Sequence, residues 1–219
     1  MSLHARPGLV LLLLAALATP AWAQARAPSI VAGPMAGVSF ATLGSANESA
    51  GVDVGTRTGI AAGGFITFNA SSHVAIEPQL LYVQKGAKAT SGTLTLSYDL
   101  DYIQVPVLVK GRYWFGNSDR SLTIDPFIGP AIAFNVNCSI GITTGTAVSC
   151  SSVGSDASSV DLSGIFGIGA EYYDFSFQAR YDVSFTNAYS APSSPSAPTA
   201  NKAKNLAWIL TLGYKFSVR

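Results

Sequence analysis

Residues 205–216, NLAWILTLGYKF, alternate between large apolar and mostly smaller or polar side chains. A period of two predicts a β-strand, because successive side chains of a strand point to opposite faces. In a soluble sandwich the apolar face would point into the core, whereas in a barrel embedded in lipid it would point outward. This strand alone does not decide between them. The apolar face consists of Leu206, Trp208, Leu210, Leu212, Tyr214 and Phe216.

The first residues have the features of a secretory signal peptide. Arg6 precedes an apolar run from Gly8 to Ala18, and Ala21-Trp22-Ala23 supplies the small residues of a cleavage site. The run is too short for a membrane-spanning helix, which needs roughly 20 residues. We therefore predict a signal peptide over residues 1–23 and one exported domain over residues 24–219.

The composition favours a lipid-facing β-structure. Charged residues make up 11% of the chain, against about 25% in ordinary soluble domains, while hydrophobic residues reach 48%. Beyond the leader, no apolar run approaches the roughly 18 residues of a membrane helix. Removing Arg6 from 13 basic residues leaves 12 against 12 acidic ones, so no basic surface for nucleic acid is expected. A glycine-rich soluble β-domain is the alternative.

The same alternation recurs along the chain and decides between these readings. The faces opposite the apolar ones carry Gly, Ala, Ser, Gln and charged residues, which suit the lumen of a narrow membrane barrel. We predict an all-β protein, an eight-stranded antiparallel up-and-down transmembrane β-barrel. The predicted strands lie near residues 31–42, 57–68, 73–86, 93–115, 121–137, 159–173, 175–187 and 204–217.

The predicted connections alternate in length, as they do in outer-membrane barrels. Tight turns at 69–72, 116–120 and 174 would face the periplasm, and longer loops at 43–56, 87–92, 138–158 and 188–203 would face outward. Near Tyr102 the apolar positions change phase, which predicts a β-bulge or a strand that leaves the membrane there.

Several segments resemble those of PorT-type outer-membrane β-barrel proteins of the porin family. They are GGFITFNASSHVAIEPQLLYVQKGAK (63–88), LDYIQVPVLVKGRYWF (100–115), DPFIGPAIAF (125–134) and LAWILTLGYKF (206–216). The resemblance implies an eight-stranded barrel of OmpX- or OmpA-like architecture in the outer membrane, inserted by the barrel-assembly machinery. Members of the family normally end on an aromatic residue, whereas Phe216 is followed here by Ser217, Val218 and Arg219.

Charged residues recur on the predicted lumen face. A buried ion carries a desolvation cost of several kcal/mol unless it is paired. We therefore predict a polar network that fills the lumen, with a gated or very narrow polar path as the alternative. Asp125, Asp161 and Lys85 are expected nearer the outer ends of the strands. The predicted network consists of Glu77, Lys110, Arg112, Glu171, Arg180 and Asp182.

The cysteines and the aromatic residues suggest structural roles. Cys138 and Cys150 are the only cysteines, and in an oxidising compartment we expect them to form a disulfide. Aromatic residues at the predicted periplasmic ends of strands suggest an interfacial girdle. The predicted girdle consists of Tyr113, Trp114, Phe115, Tyr172, Tyr214 and Phe216.

The sequence contains few groups that could carry chemistry. His73 is the only histidine after the leader and lies beside a predicted periplasmic turn. No nucleophile, metal-ligand or phosphate-binding motif is present, so we expect neither an enzyme nor a cofactor or metal. The leading hypothesis is a monomeric structural or surface-interaction protein that contacts outer-membrane lipid, lipopolysaccharide or partners. A narrow polar channel and a soluble lipocalin-like periplasmic binding barrel are the alternatives.

Overall fold

The computed structural model describes residues 30–45, 53–91, 94–116, 122–142, 147–153, 156–190 and 203–218. The predicted signal peptide over residues 1–23 lies outside the described residues. Across the described ranges, no helix has the length and apolar character needed to span a membrane.

Eight long strands form one closed antiparallel barrel. Each strand pairs with its neighbours in the chain, and the last strand pairs with the first from Met35 opposite Gly213 to Ser45 opposite Ala203. The predicted fold class is therefore confirmed. The strands are β1 (Ile30–Ser45), β2 (Asp53–Asn69), β3 (Val74–Ser91), β4 (Leu94–Gly111), β5 (Leu122–Ile142), β6 (Val160–Tyr172), β7 (Phe175–Ser184) and β8 (Ala203–Tyr214). Short segments Tyr113–Phe115 and Phe216–Val218 add to β5 and β1.

The exposed side chains settle which face of each strand looks outward. Leu80, Ile128 and Trp208 are 58%, 66% and 53% exposed. By contrast, Ala207 and Ile209, on either side of Trp208, are buried. The large apolar face of NLAWILTLGYKF therefore covers the outside of the barrel. The soluble lipocalin-like alternative requires the opposite orientation.

Two of the predicted outer loops are at least half strand. β1 extends to Ser45 and β2 begins at Asp53, so the predicted loop over 43–56 is short. β3 likewise extends to Ser91, through most of the predicted loop over 87–92, and β4 begins at Leu94, close to the predicted start of that strand. Beyond the lipid no alternation of side chains is required, but the backbone still gains hydrogen bonds by staying paired. Strand extensions made largely of small and polar residues therefore resemble loops in the sequence.

The predicted bulge near Tyr102 is present, and it belongs to the neighbouring strand. Asp101 lies opposite Asn137 and Tyr102 lies opposite Asn135, so Val136 is the extra residue, on β5. β4 itself remains in register with β3 through this region. The apolar residues of β4 change phase because Leu100 and Tyr102 are fully buried within the barrel, not because the strand turns over.

The predicted disulfide between Cys138 and Cys150 is confirmed, with the two Cα atoms 5.5 Å apart. It ties the end of β5 to a short 3₁₀ helix, Cys150–Val153, next to a two-residue strand, Val148–Ser149, that pairs with β5. The predicted loop over 138–158 thus contains ordered elements held against the barrel wall.

We expect the double change Cys138→Ser and Cys150→Ser to loosen this segment without unfolding the barrel. The disulfide closes a chain segment outside the apolar band, so the strand pairs within the membrane do not depend on it. Limited proteolysis of folded protein should cut between residues 139 and 149 several-fold faster in the variant, while the unboiled protein keeps its shifted electrophoretic mobility. Loss of that mobility shift would show that the disulfide is needed for the barrel itself.

Candidate functional site

The centre of the lumen is organised around Glu77 on β3. Its carboxylate accepts hydrogen bonds from Thr67 Oγ1 at 2.6 Å, Gln79 Nε2 and Gln178 Nε2 at 2.8 Å each, and Lys110 Nζ at 2.5 Å. Glu77 and Gln178 are 0% and 1% exposed. These residues come from β2, β3, β4 and β7, so the cluster connects opposite walls of the barrel.

A second cluster lies at the end of the lumen beside the tight turns. The Arg112 guanidinium contacts Glu171 Oε2 at 2.5 Å and Asp125 Oδ1 at 3.4 Å, and Lys215 Nζ donates to Glu171 at 2.8 Å. The placement of Asp125 corrects the expectation that it lies near the outer ends, because β5 begins only three residues earlier, at Leu122. Lys110 Nζ is 3.9 Å from Glu171 and joins this cluster to the central one.

A third cluster surrounds Asp182 in the outer half of the lumen. Arg180 Nε and Lys85 Nζ lie 3.3 and 3.4 Å from the Asp182 carboxylate, and Gln104 Nε2 donates to it at 2.9 Å. Arg180 also donates to Gln79 and Gln104, at 2.9 Å each. Among the described residues, Lys85 Nζ, Arg180 Nε and Asp182 Oδ1 are buried atoms without a hydrogen-bond partner.

The outer end of the lumen is covered by the chain that follows β7. Asp161 accepts hydrogen bonds from Ser184 Oγ and Thr186 Oγ1, both at 2.7 Å. Ala188 is 1% exposed and packs with Leu100 and Tyr102. Residues 184–188 therefore turn over the mouth of the barrel and are held there by Asp161.

Apolar side chains also fill the lumen, which the sequence analysis did not predict. One cluster includes Phe65, Leu81 and Ile209, and another includes Leu108 and Phe127. The signal was present in the sequence as large apolar residues at lumen positions, such as Ile209 in the opening segment. Polar and apolar clusters together leave Arg180, Tyr102, Lys85, Lys110 and Leu81 almost inaccessible to solvent.

The residues predicted to form an aromatic girdle lie at the ends of strands beside the tight turns, and all except Trp114 are on the outer face; Trp114 pairs with the buried Thr123 and lies 5.4 Å from the Arg112 guanidinium. They are Tyr113, Trp114, Phe115, Tyr172, Tyr214 and Phe216, with exposed fractions from 39% to 58%. Tyr214 packs edge to face against Phe175 and against Phe216, with ring centroids 5.5 and 4.9 Å apart. Trp114 Nε1 donates to the Ser72 carbonyl at 3.0 Å.

His73 lies in an exposed turn, with Nδ1 2.8 Å from Ser72 Oγ. Over the ranges that the structure describes, no group of three or more His, Cys, Asp or Glu residues could hold a metal ion. A polar cluster around Arg57, Asp99 and Asp101 on the outside of the barrel was not predicted from the sequence. The change of phase near Tyr102 was its only sequence signal.

Comparison with known proteins identifies solved outer-membrane barrels. Ail, the attachment invasion locus protein of Yersinia pestis, is 12% identical, with a TM-score of 0.43 over 85% of this chain and 98% of Ail. OprG from Pseudomonas aeruginosa is 12% identical, with a TM-score of 0.48 over 88% of this chain and 97% of OprG. Outer membrane protein W of E. coli is 12% identical, with a TM-score of 0.37 over 87% of this chain and 98% of that protein. A search of curated proteins finds no match.

A family model also matches most of the chain, over residues 22–190, and its description is "Outer membrane protein beta-barrel domain". The matched range contains β1 to β7. The match agrees with the closed antiparallel barrel and with its apolar outer surface. The chain belongs to the outer membrane protein beta-barrel domain family and is an integral outer-membrane β-barrel.

Proposed function

We propose that this barrel is a non-conducting structural or surface-interaction protein whose outer side contacts envelope components or partners. The observation that carries the proposal is the filled lumen. Side chains from opposite walls meet at Glu77 and at Asp182, and apolar clusters pack beside them. An eight-stranded barrel has an interior just wide enough for side chains. The activity is therefore assigned to the exterior and not to transport through the lumen.

Single-channel recording tests this proposal against a narrow polar channel. We expect no discrete current steps when the folded protein is inserted in a planar bilayer, because paired side chains block the path at several levels. Heat-modifiable mobility of the same sample serves as the control for correct folding. Reproducible steps whose size changes on Arg112→Gln or Arg180→Gln would contradict the proposal and support the channel.

The narrow channel stays as a second candidate because of the cluster around Asp182. Lys85 has three N–H donors and no hydrogen-bond partner among the described residues. A buried ammonium group normally has partners, and ordered water satisfies such groups in many proteins. Water at this level would hydrate the outer half of the lumen, although the clusters at Glu77 and Arg112 still separate it from the opposite end.

The outer connections are the segments proposed to make the contacts. The sequence over 191–202 is rich in Pro, Ser and Ala and ends near Lys202 and Lys204; lipopolysaccharide phosphates and partner proteins are both suitable targets. In cells that lack this protein, the native chain should restore resistance to entry of a hydrophobic dye. A variant with a Gly-Ser sequence of equal length at 191–200 should restore it several-fold less well. Full restoration by that variant would assign the activity elsewhere.

The proposal also covers how the protein is inserted into the membrane and whether it has enzymatic activity. The exposed Tyr214 and Phe216 are proposed to direct insertion by the barrel-assembly machinery. Insertion follows export by the predicted signal peptide, and the product is a monomer. We assign no enzymatic activity, since His73 lies in an exposed turn with its Nδ1 beside Ser72 Oγ.

A further inference from the structure

A cluster of polar side chains lies on the outer surface of the barrel, across β2, β3, β4 and β5. The Arg57 Nε atom contacts Asp99 Oδ1 at 2.7 Å, and Asn137 Nδ2 donates to Asp101 Oδ2 at 3.1 Å. Gln84 Nε2 donates to the Tyr82 hydroxyl at 3.3 Å. We call this set the outer polar patch; it consists of Arg57, Tyr82, Gln84, Asp99, Asp101 and Asn137.

Strand alternation places the patch on the outside. On β4, Val107 and Val109 are exposed, whereas Leu108 and Lys110 are buried in the lumen. Asp99 and Asp101 have the same parity as the exposed valines, and β4 keeps a continuous register with β3 from Tyr82 opposite Ile103 to Ser91 opposite Leu94. Directly paired residues share one face of a sheet. Gln84 and Asn137 both pair with Asp101 and therefore face outward with it.

The backbone is specifically shaped around the patch. A register shift between Thr56 and Ala61 adds a residue to β2, and Val136 is the extra residue on β5, so a bulge flanks the patch on each side. Such bulges redirect side chains. Between them, Gly86 has a φ of 128°, and a Cβ there would lie 1.9 Å from the Tyr98 carbonyl oxygen and 3.4 Å from Arg57 Cδ. The Arg57 side chain thus crosses Gly86 to reach Asp99.

The patch begins where the apolar surface ends. Leu80 on β3 and Phe134 on β5 are exposed apolar residues just below it. A tilted strand crosses an apolar band of about 25 Å in about ten residues, which is the distance from Val74, near the tight-turn end, to Gln84. The patch therefore lies at the level of the headgroups of the outer leaflet.

The charge and the hydrogen-bonding groups of the patch determine which kind of lipid headgroup it can bind. It holds one guanidinium and two carboxylates, a formal charge of −1, so it repels a phosphate. Hydroxyl groups can donate to the Asp99 carboxylate and to the Asn137 amide oxygen, and can accept from amide nitrogens, whereas Asp101 is 7% exposed and accepts from Asn137. The Asp99 side chain is 29% exposed and Asn137 is exposed, so both can reach a ligand. Tyr82 adds an aromatic ring with a polar edge, suited to an interface.

We infer that the outer polar patch binds the sugar headgroup of an outer-leaflet glycolipid through its hydroxyl groups. The acyl chains of that lipid lie along the apolar wall below, over Leu80 and Ile103. The inference rests on outer-membrane residence and deepens the proposed contact with envelope components. It is independent of the contacts proposed for residues 191–202.

Binding of lipid A to the folded protein in detergent micelles tests the inference. The probes are lipid A, whose headgroup is a phosphorylated disaccharide, and its dephosphorylated form, both measured by native mass spectrometry in the presence of EDTA. We expect the dephosphorylated form to bind the native chain at least as tightly as the phosphorylated form, because the patch repels a phosphate. Asp99→Asn should weaken binding about tenfold, since it removes a charged acceptor, and Asn137→Ala should weaken it several-fold, since it removes a neutral hydrogen-bonding group.

Lys204→Ala is the matched control, because Lys204 is exposed at the outer end of β8. It should leave binding unchanged. Binding that is lost with the phosphates, weakened by Lys204→Ala and strengthened by Asp99→Asn would overturn the inference in favour of phosphate recognition. Unchanged binding in both patch variants, each with native heat-modifiable mobility, would also overturn it. Asn137→Ala leaves the pair between Arg57 and Asp99 intact, so it tests binding even if Asp99→Asn fails to fold.

Discussion

Lys110→Met should destabilise the folded barrel by about 3 to 5 kcal/mol, because it leaves the buried carboxylate of Glu77 without its cation. Lys110 Nζ is 2.5 Å from Glu77 Oε2, and both side chains are 0% exposed. Thr67, Gln79 and Gln178 would still donate to Glu77, but neutral donors do not compensate the charge. Urea unfolding in lipid vesicles, followed by tryptophan fluorescence, measures the change.

A second substitution separates loss of the cation from loss of packing. Glu77→Gln in the Lys110→Met background removes the unpaired charge while retaining an oxygen that can accept from Thr67 and Gln79. We expect the double variant to recover more than half of the lost stability. Lys88→Met, an exposed change on β3, should stay within about 0.5 kcal/mol of the native chain. A loss below about 1 kcal/mol for Lys110→Met would mean that water or another group satisfies Glu77.

The outer faces of the strands were predictable because lipid imposes one requirement on every residue that touches it. The alternation around Trp208, for instance, follows directly from an apolar outside and a closed lumen. The lumen positions of Glu77 and Lys110 follow from the same alternation, since a residue next to a lipid-facing one points inward. Their contacts were not predictable, because pairing across the lumen depends on the stagger of strands that are distant in sequence.

Three features were missed for physical reasons. The outer extension of β3 to Ser91 carries no alternation that lipid would impose, so the sequence predicts a loop there. Ile209 and Phe65 were not identified as lumen packing, because the lumen of a barrel accepts both polar and apolar side chains. Arg57 is on the outer surface only because of a bulge, and a bulge on β2 has no residue signature of its own. The outer polar patch therefore required the structure.

Ile128→Arg should cost roughly 2 to 4 kcal/mol of folding free energy, the penalty for arginine on the lipid face near the bilayer midplane. Ile128 is 66% exposed and lies on β5 about midway between Leu122, which pairs with Phe115 of the girdle, and Val136 at the bulge. Val136→Arg on the same strand, at a residue 55% exposed, is the matched control. It should cost only about 0 to 1 kcal/mol, because the penalty falls toward the interface.

Urea titrations of both variants in vesicles give the difference. Equal costs would mean that the two residues lie at the same depth, and the outer polar patch would then no longer be at the level of the headgroups. The larger cost at Ile128 would fix the bilayer midplane on β5 and place the patch beside Val136 at the outer interface.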